Sequence, residues 1–138
     1  MSAIGEAFRT KLLAYTSVST IVGQRMYPDA LKQNATIPAI VYYVISTDRE
    51  HTIAGLTKTA HARIQLDCYA ATRTAASALA SAIRNTGIDA YRGVTASHTF
   101  CGVEFDSGDE YLQEPPDDGN QEHRYIVSFT CLCHYKEP

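Results

Sequence analysis

The sequence contains no tryptophan and no run of 18 or more apolar residues, so no membrane-spanning helix is expected. The N-terminus lacks a basic stretch leading into an apolar segment and a small-residue cleavage site, so secretion is not expected either. Eight glycines and five prolines in 138 residues are too few for a low-complexity or collagen-like chain. Cysteines are sparse: Cys68, Cys101, Cys131 and Cys133 form no C-x-x-C pair. Cys131 and Cys133 fall on one face of a strand, a spacing that suits packing better than zinc chelation. All four are expected as small buried hydrophobes in a reducing compartment, which points to the cytoplasm. What remains is 45% hydrophobic and 20% charged residues, ordinary values for a single globular domain over residues 1–138.

Basic residues are missing from one long stretch. Between Arg92 and Arg124 there is no Lys or Arg, whereas Glu104, Asp106, Asp109, Glu110, Glu114, Asp117, Asp118 and Glu122 all fall there. Residues 1–92 hold ten Lys/Arg against six Asp/Glu, a balance of +4. Residues 93–138 hold two against nine, −7, which together give the net charge of −3. Such a segment repels nucleic acid, because gripping phosphate requires Lys/Arg to displace counterions. The plainer alternative is a solvated acidic loop.

Periodicity lays out the elements. Ile4, Phe8, Leu12 and Tyr15 recur on one helical face, with Ser2 as a cap, Glu6 in the first turn, and Ala3, Ala7 and Ala14 permitting close approach. A short helical turn over 19–22 stops at Gly23, and an extended piece over 25–27 ends at Pro28. After a polar connection over 29–38, residues 39–47 are rich in β-formers. In 61–70, Ala62, Ile64, Leu66, Cys68 and Ala70 alternate with His61, Arg63, Gln65, Asp67 and Tyr69, so one face is core and the other open. These two strands form a long hairpin with a polar tip at about 50–58. Thr72 caps a second helix striped by Ala75, Ala76, Leu79, Ala80 and Ile83, with Gly87 just past its end. In 97–106, Thr99, Cys101, Val103 and Phe105 oppose Phe100, Gly102, Glu104 and Asp106, with Cys101, Val103 and Phe105 facing the core. In 124–135, Tyr125, Val127, Phe129, Cys131, Cys133 and Tyr135 share one face. Pro115, Pro116 and Gly119 mark 107–123 as an irregular acidic connection. The expected fold is α+β: one antiparallel sheet of four to five strands, two main helices on one face, in the order α-β-β-β-α-β-β.

Catalytic signatures are absent: there is no phosphate-binding glycine loop, no G-x-S-x-G, no H-E-x-x-H and no H-x-E with C-x-x-C. His51, His61, His98, His123 and His134 are scattered, each more simply a surface or strand-end residue than a catalyst. Asp106, Asp109 and Glu110 are close enough in sequence to suggest a hard divalent cation, but the alternating acids and central Gly of a calcium loop are missing. Arginines and lysines stand singly, without the aromatic interleaving of a nucleic-acid module. Among nine tyrosines, Tyr42 or Tyr43, Tyr69 and Tyr111 suit interface anchoring, against the simpler reading of half-buried sheet residues.

One ordered set of short strings goes further. Val22-Gly23-Gln24-Arg25-Met26-Tyr27-Pro28 is followed by Ile37-Pro38-Ala39-Ile40-Val41-Tyr42, then Glu50-His51-Thr52 in the hairpin. Ala62-Arg63-Ile64-Gln65-Leu66-Asp67-Cys68-Tyr69-Ala70, Tyr91-Arg92-Gly93 and Arg124-Tyr125-Ile126-Val127-Ser128-Phe129 complete it. In this order and spacing the chain, from about Ile4 to Tyr135, resembles the tail-completion proteins of long-tailed phages, also called tail terminators or head-to-tail joining proteins and often found in prophages. The acidic stretch 107–123 is longer than that resemblance leads one to expect.

The resemblance implies a structural virion protein with no catalytic residue, metal or cofactor. It implies a ring of copies, a hexamer, closing the tail tube at its head-proximal end after assembly in the bacterial cytoplasm. The partners implied are the tail-tube protein and the head connector or stopper, with DNA passing through unbound and no membrane involved. Glu50, His51, Thr52, Ile53 and Leu56 of the hairpin are then expected at the subunit interface. Glu104, Asp106, Asp109 and Glu110 are expected to line the channel, on a face distinct from the strand bearing Arg63. Two alternatives stay open: another neck or tail ring component, and a small cytoplasmic metal-dependent enzyme using the acids from Asp106 to Glu114. A melting shift with Mg²⁺, Mn²⁺ or Ca²⁺ favours the enzyme, and a ring in the microscope favours the structural readings.

Overall fold

The computed structural model describes residues 3–31, 36–86, 88, 91–106, 108–114 and 124–137. Among these are three helices: α1 (Ala3–Leu13), α2 (Thr16–Val22) and α3 (Arg73–Arg84). Seven strands accompany them: β1 (Met26–Pro28), β2 (Ala39–Thr52), β3 (Gly55–Ala70), β4 (Gly93–Thr95), β5 (His98–Phe105), β6 (Glu110–Glu114) and β7 (Arg124–Lys136). The chain order is α1-α2-β1-β2-β3-α3-β4-β5-β6-β7.

The helices form where apolar spacing and capping direct. Ile4, Phe8 and Leu12 of α1 are buried on one face. Gly5 lets α1 lie against β2, since a Cβ there would stand 2.9 Å from the Tyr42 ring. Gly23, at φ 61°, ends α2 and donates its N–H to the Ser19 carbonyl at 2.8 Å. The Thr72 hydroxyl accepts from the Ala75 N–H at 3.1 Å, capping α3, whose Ala76, Leu79, Ala80 and Ile83 are buried. Ala75 itself is exposed. Ser2 and Gly87, expected at helix ends, lie outside the described residues.

The sheet runs β1-β2-β3-β7-β5-β4, with β6 joined to β7. β1 pairs with β2 in parallel, Met26 opposite Ile40, and every other pairing is antiparallel. β3 and β7 form the middle, pairing from Thr59↔Lys136 to Ala70↔Tyr125. On its other side β7 is shared: Cys131–Lys136 by β5, and Arg124–Ser128 by β6. All three helices bury their apolar stripes against one face of the sheet, in a core that includes Phe8, Leu12, Leu66, Leu79, Phe129 and Tyr135. α1 touches both β2 and β4, which lie toward opposite sides of the sheet, so the sheet curls around it. On the outer face a smaller cluster of Val41, Tyr69 and Ile126 is covered by Leu31 and Ile37 of the connection after β1.

This corrects the expected architecture. Among the described residues the sheet is mixed and seven-stranded, not an antiparallel sheet of four to five strands, with three helices where two main ones were expected. β4 is three residues long, too short for alternation to register. β6 falls inside the stretch expected to be irregular. It is an edge strand with Tyr111 and Leu112 both exposed, so it shows no inside–outside pattern. β1 runs parallel to β2, from Met26 opposite Ile40 to Pro28 opposite Tyr42. The hairpin tip is ribbon, not loop, for β2 and β3 stay paired out to Thr52↔Gly55 around Ile53 and Ala54. In β5 a register shift between Phe100 and Gly102 swaps the faces, so His98 and Phe100 are buried before it and Val103 after it, while Thr99 is exposed. Residues 115–123, including Pro115, Pro116, Asp117, Asp118, Gly119 and Glu122, lie outside the described residues.

Candidate functional site

Two features of the sheet face outward: the hairpin arm and the polar part of the outer face. The last β3–β7 pair is Thr59↔Lys136, so the arm runs past β7 for about 15 Å at the usual strand rise. Glu50, His51, Thr52 and Ile53 are all exposed on it. Leu56 pairs its backbone with His51, while its side chain lies outside the described residues. The Thr52 hydroxyl donates to the Gly55 carbonyl at 3.2 Å, closing the turn, and Gly55 takes φ 120° there. The arm's root is pinned: Arg49 meets Glu137 at 2.6 Å, and the Glu137 N–H donates to the Lys58 carbonyl at 2.8 Å.

The outer face places acids and bases in rows across four strands. In one row Asp48 of β2 lies 3.3 Å from His61 of β3, the His61 and His134 rings stand 5.9 Å apart, and His134 is 3.9 Å from Glu104 of β5. In the next, Arg63 donates to Asp106 at 2.9 Å, and the Thr130 hydroxyl between them donates to the same carboxylate oxygen. The Thr130 bond, followed by the Arg63 charge, holds the Asp106 carboxyl below the usual carboxylate range, against an opposing push from partial burial.

Just beyond Asp106 the strand along β7 is interrupted. Phe105 pairs with Cys131 but Glu110 pairs with Ser128, so two extra residues are looped out between β5 and β6. Arg84, at the end of α3, binds this loop: it donates to the Asp106 carbonyl at 3.1 Å, to the Gly108 carbonyl at 3.4 Å, and to the Asp109 carboxylate. Its guanidinium lies 4.6 Å from the centre of the Phe129 ring. The loop borders a cleft of about 270 Å³ lined by Gln65, Asp106, Asp109, Glu110, Ser128 and Thr130.

The four acids expected together are thus of two kinds. Asp106 and Asp109 are each paired with an arginine, whereas Glu104 and Glu110 are exposed. Arg63 shares a face with Glu104 and Asp106, so the expected contrast between that strand and the acidic face does not hold in the geometry. Arg63 is expected from sequence to lie away from the acidic face, and Arg84 has no expected role there. Arg63 was legible in the strict alternation of 61–70, but Arg84 sits on a helix and gives no sign of reaching across to β5. Among the described residues no group of three or more His, Cys, Asp or Glu side chains is placed to hold a metal ion.

A family model described as tail completion protein gp17 matches residues 6–111, from α1 into β6. A chain in a solved structure, the virion of a native gene transfer agent particle, matches with a TM-score of 0.54 and 15% identity. That likeness covers 98% of this chain and 99% of that one, and at this identity it speaks to the fold alone. No curated protein matches the chain.

Proposed function

The chain belongs to the tail completion protein gp17 family of phage tail structural proteins, and from that premise we propose that copies of it form a ring closing the tail tube. The ring, a hexamer, sits at the head-proximal end of the tail and offers the surface on which the head connector docks. It assembles in the host cytoplasm, works without catalysis or cofactor, and lets DNA through without binding it. The observation that supports this best is the hairpin arm. A two-stranded ribbon is marginal alone in water, yet this one stays paired to its tip with Ile53 fully exposed, as suits an element completed by a neighbouring subunit. Glu50, His51, Thr52, Ile53 and Leu56 are its interface residues in this reading. The outer face bearing Glu104 and Asp106 looks into the lumen, where carboxylates discourage a polyanion from sticking, and Asp109 and Glu110 continue it toward the rim.

Deleting residues 51–57 tests the reading. The expected product is a folded monomer that forms no rings by negative-stain microscopy, and a phage carrying it makes tails that do not join heads. Rings of normal size from the deleted chain, or joined infectious particles without the chain, overturn the proposal.

A further inference from the structure

We propose that successive copies join margin to margin, the β2 edge and hairpin arm of one copy meeting the β4–β6 margin of the next. This rests on the ring reading and names the surfaces that make the ring.

The exposed large hydrophobic residues among the described ones are Ile45, Ile53, Val94, Tyr111 and Leu112. They sort into two sets. Ile45, 52% exposed, is the extra residue of a bulge on β2 between Val44 and Ser46, and Ile53 is the tip of the arm. Val94 is the middle of β4, the last strand on the other side, and Tyr111 and Leu112 lie on β6, which β7 holds from one side. Sheet edges in soluble proteins are commonly blunted by lysine, proline or inward charge. Here each edge presents an apolar side chain instead, and β1 covers β2 only at Ile40–Tyr42, leaving the outer side of Val44–Arg49 without a described strand.

One charge on each margin, of opposite sign, is available to pair across such a contact. On the arm, Lys58 is exposed and has no side-chain partner among the described residues. On the opposite margin, Glu110 is exposed beside Tyr111 and Leu112 and likewise has no side-chain partner among the described residues. Arm against arm would leave the β4–β6 residues uncovered. Arm against the opposite margin pairs Lys58 with Glu110 and covers both apolar sets. The occupant of each margin is therefore a second copy in head-to-tail contact, the kind of interface that closes into a ring.

Two exposed-position variants test this, Ile53→Asp on the arm and Leu112→Asp on β6, each first shown to melt like the wild type. By sedimentation velocity each alone is expected to be monomeric, since each retains only one working margin. An equimolar mixture is expected to give a dimer and nothing larger, because only the arm side of Leu112→Asp and the β6 side of Ile53→Asp remain complementary. Rings from either variant alone, or a mixture that stays monomeric while the wild type assembles, overturn the pairing and leave the ring reading standing. Wild-type chains that never self-associate, even with tail tubes present, overturn the ring reading and this pairing with it.

Discussion

Arg63 of β3 and Asp106 at the end of β5, 43 positions apart in sequence, meet at 2.9 Å across the intervening β7, where the Thr130 hydroxyl binds the same carboxylate. The pair ties the outer face together over three strands. It also turns an acid read from sequence as a free charge into a neutralised one.

That pair sets a pH dependence. The Asp106 carboxyl is held below its ordinary value of 3.8, first by Thr130 and then by Arg63, so the folded chain binds its proton less readily than the unfolded one. The resulting stability is fully present above the ordinary carboxylate range and is lost as pH falls below it. Side chains exposed by nearly half on both partners let solvent screen the effect, which keeps it small. Urea midpoints measured from about pH 6 down to about pH 3 should therefore fall more steeply for the wild type than for Asp106→Asn. Parallel curves would show that the pair contributes nothing.

Arg84 should matter more, because it fastens the two-residue interruption between β5 and β6 to the helix layer. Arg84→Met keeps an apolar stem beside Phe129 but removes three charge-assisted contacts. The expected loss is about 2–3 kcal/mol, the scale of hydrogen bonds to a charged group. Amide exchange should rise over 106–114 and stay unchanged in β2 and β3. Uniform exchange across the sheet would mean that the loop is held by something else.

The parts of the fold legible in sequence were those where one side chain set decides the face. Strand β3 shows its core residues Ala62, Ile64, Leu66 and Cys68 by strict alternation, and α3 shows Leu79 and Ile83 by helical spacing. Strand β5 misleads because its bulge inserts a residue, so alternation read straight through puts Thr99 inside and Phe100 outside, the reverse of what is found. Strand β6 is hidden because among the described residues it pairs, by its backbone, with β7 on one side, and its side chains need no pattern at an edge. At the candidate site the exposed acids could be read, but their partners could not. Which carboxylate meets an arginine depends on register across β3, β7 and β5, and on a helix end packed from elsewhere in the chain.

The bulge in β5 makes its own prediction. Phe100 is buried against Tyr91, with ring centres 5.5 Å apart, so Phe100→Ala should cost about 3–5 kcal/mol. Thr99→Ala, at an exposed position, should stay within about 0.5 kcal/mol. Chemical denaturation decides between them, and equal losses would place the register shift elsewhere.

Thiol chemistry gives an independent check on the core. Burial pushes the Cys68 and Cys131 thiols far above their ordinary range and Cys133 up to about 12, so none is a ready thiolate. Cys101 is only partly buried, its thiol 3.8 Å from the Thr99 carbonyl. A thiol-specific colour reagent should titrate one cysteine per folded chain and all four in guanidinium. A second fast-reacting thiol in the folded protein would contradict the packing of β3 and β7.

The lumen assignment can be tested at a single residue. Glu104 is chosen because its side chain is 76% exposed and the basic group it meets, His134 at 3.9 Å, is charged only when protonated. Asp106 and Asp109 would be poor choices, since replacing either also frees an arginine, and Glu110 lies at the margin proposed to join copies. Glu104→Lys changes the charge of each copy by two units, and a ring multiplies that change by its number of subunits. If the outer face looks into the channel, the variant ring should hold duplex DNA at low salt and release it as salt rises, because each new phosphate contact displaces counterions and steepens the salt dependence. The wild-type ring should hold none, its carboxylates repelling the duplex at close range in a narrow channel. Retention by the wild type at moderate salt, or no gain in an assembled Glu104→Lys ring, would put this face on the outside of the tail.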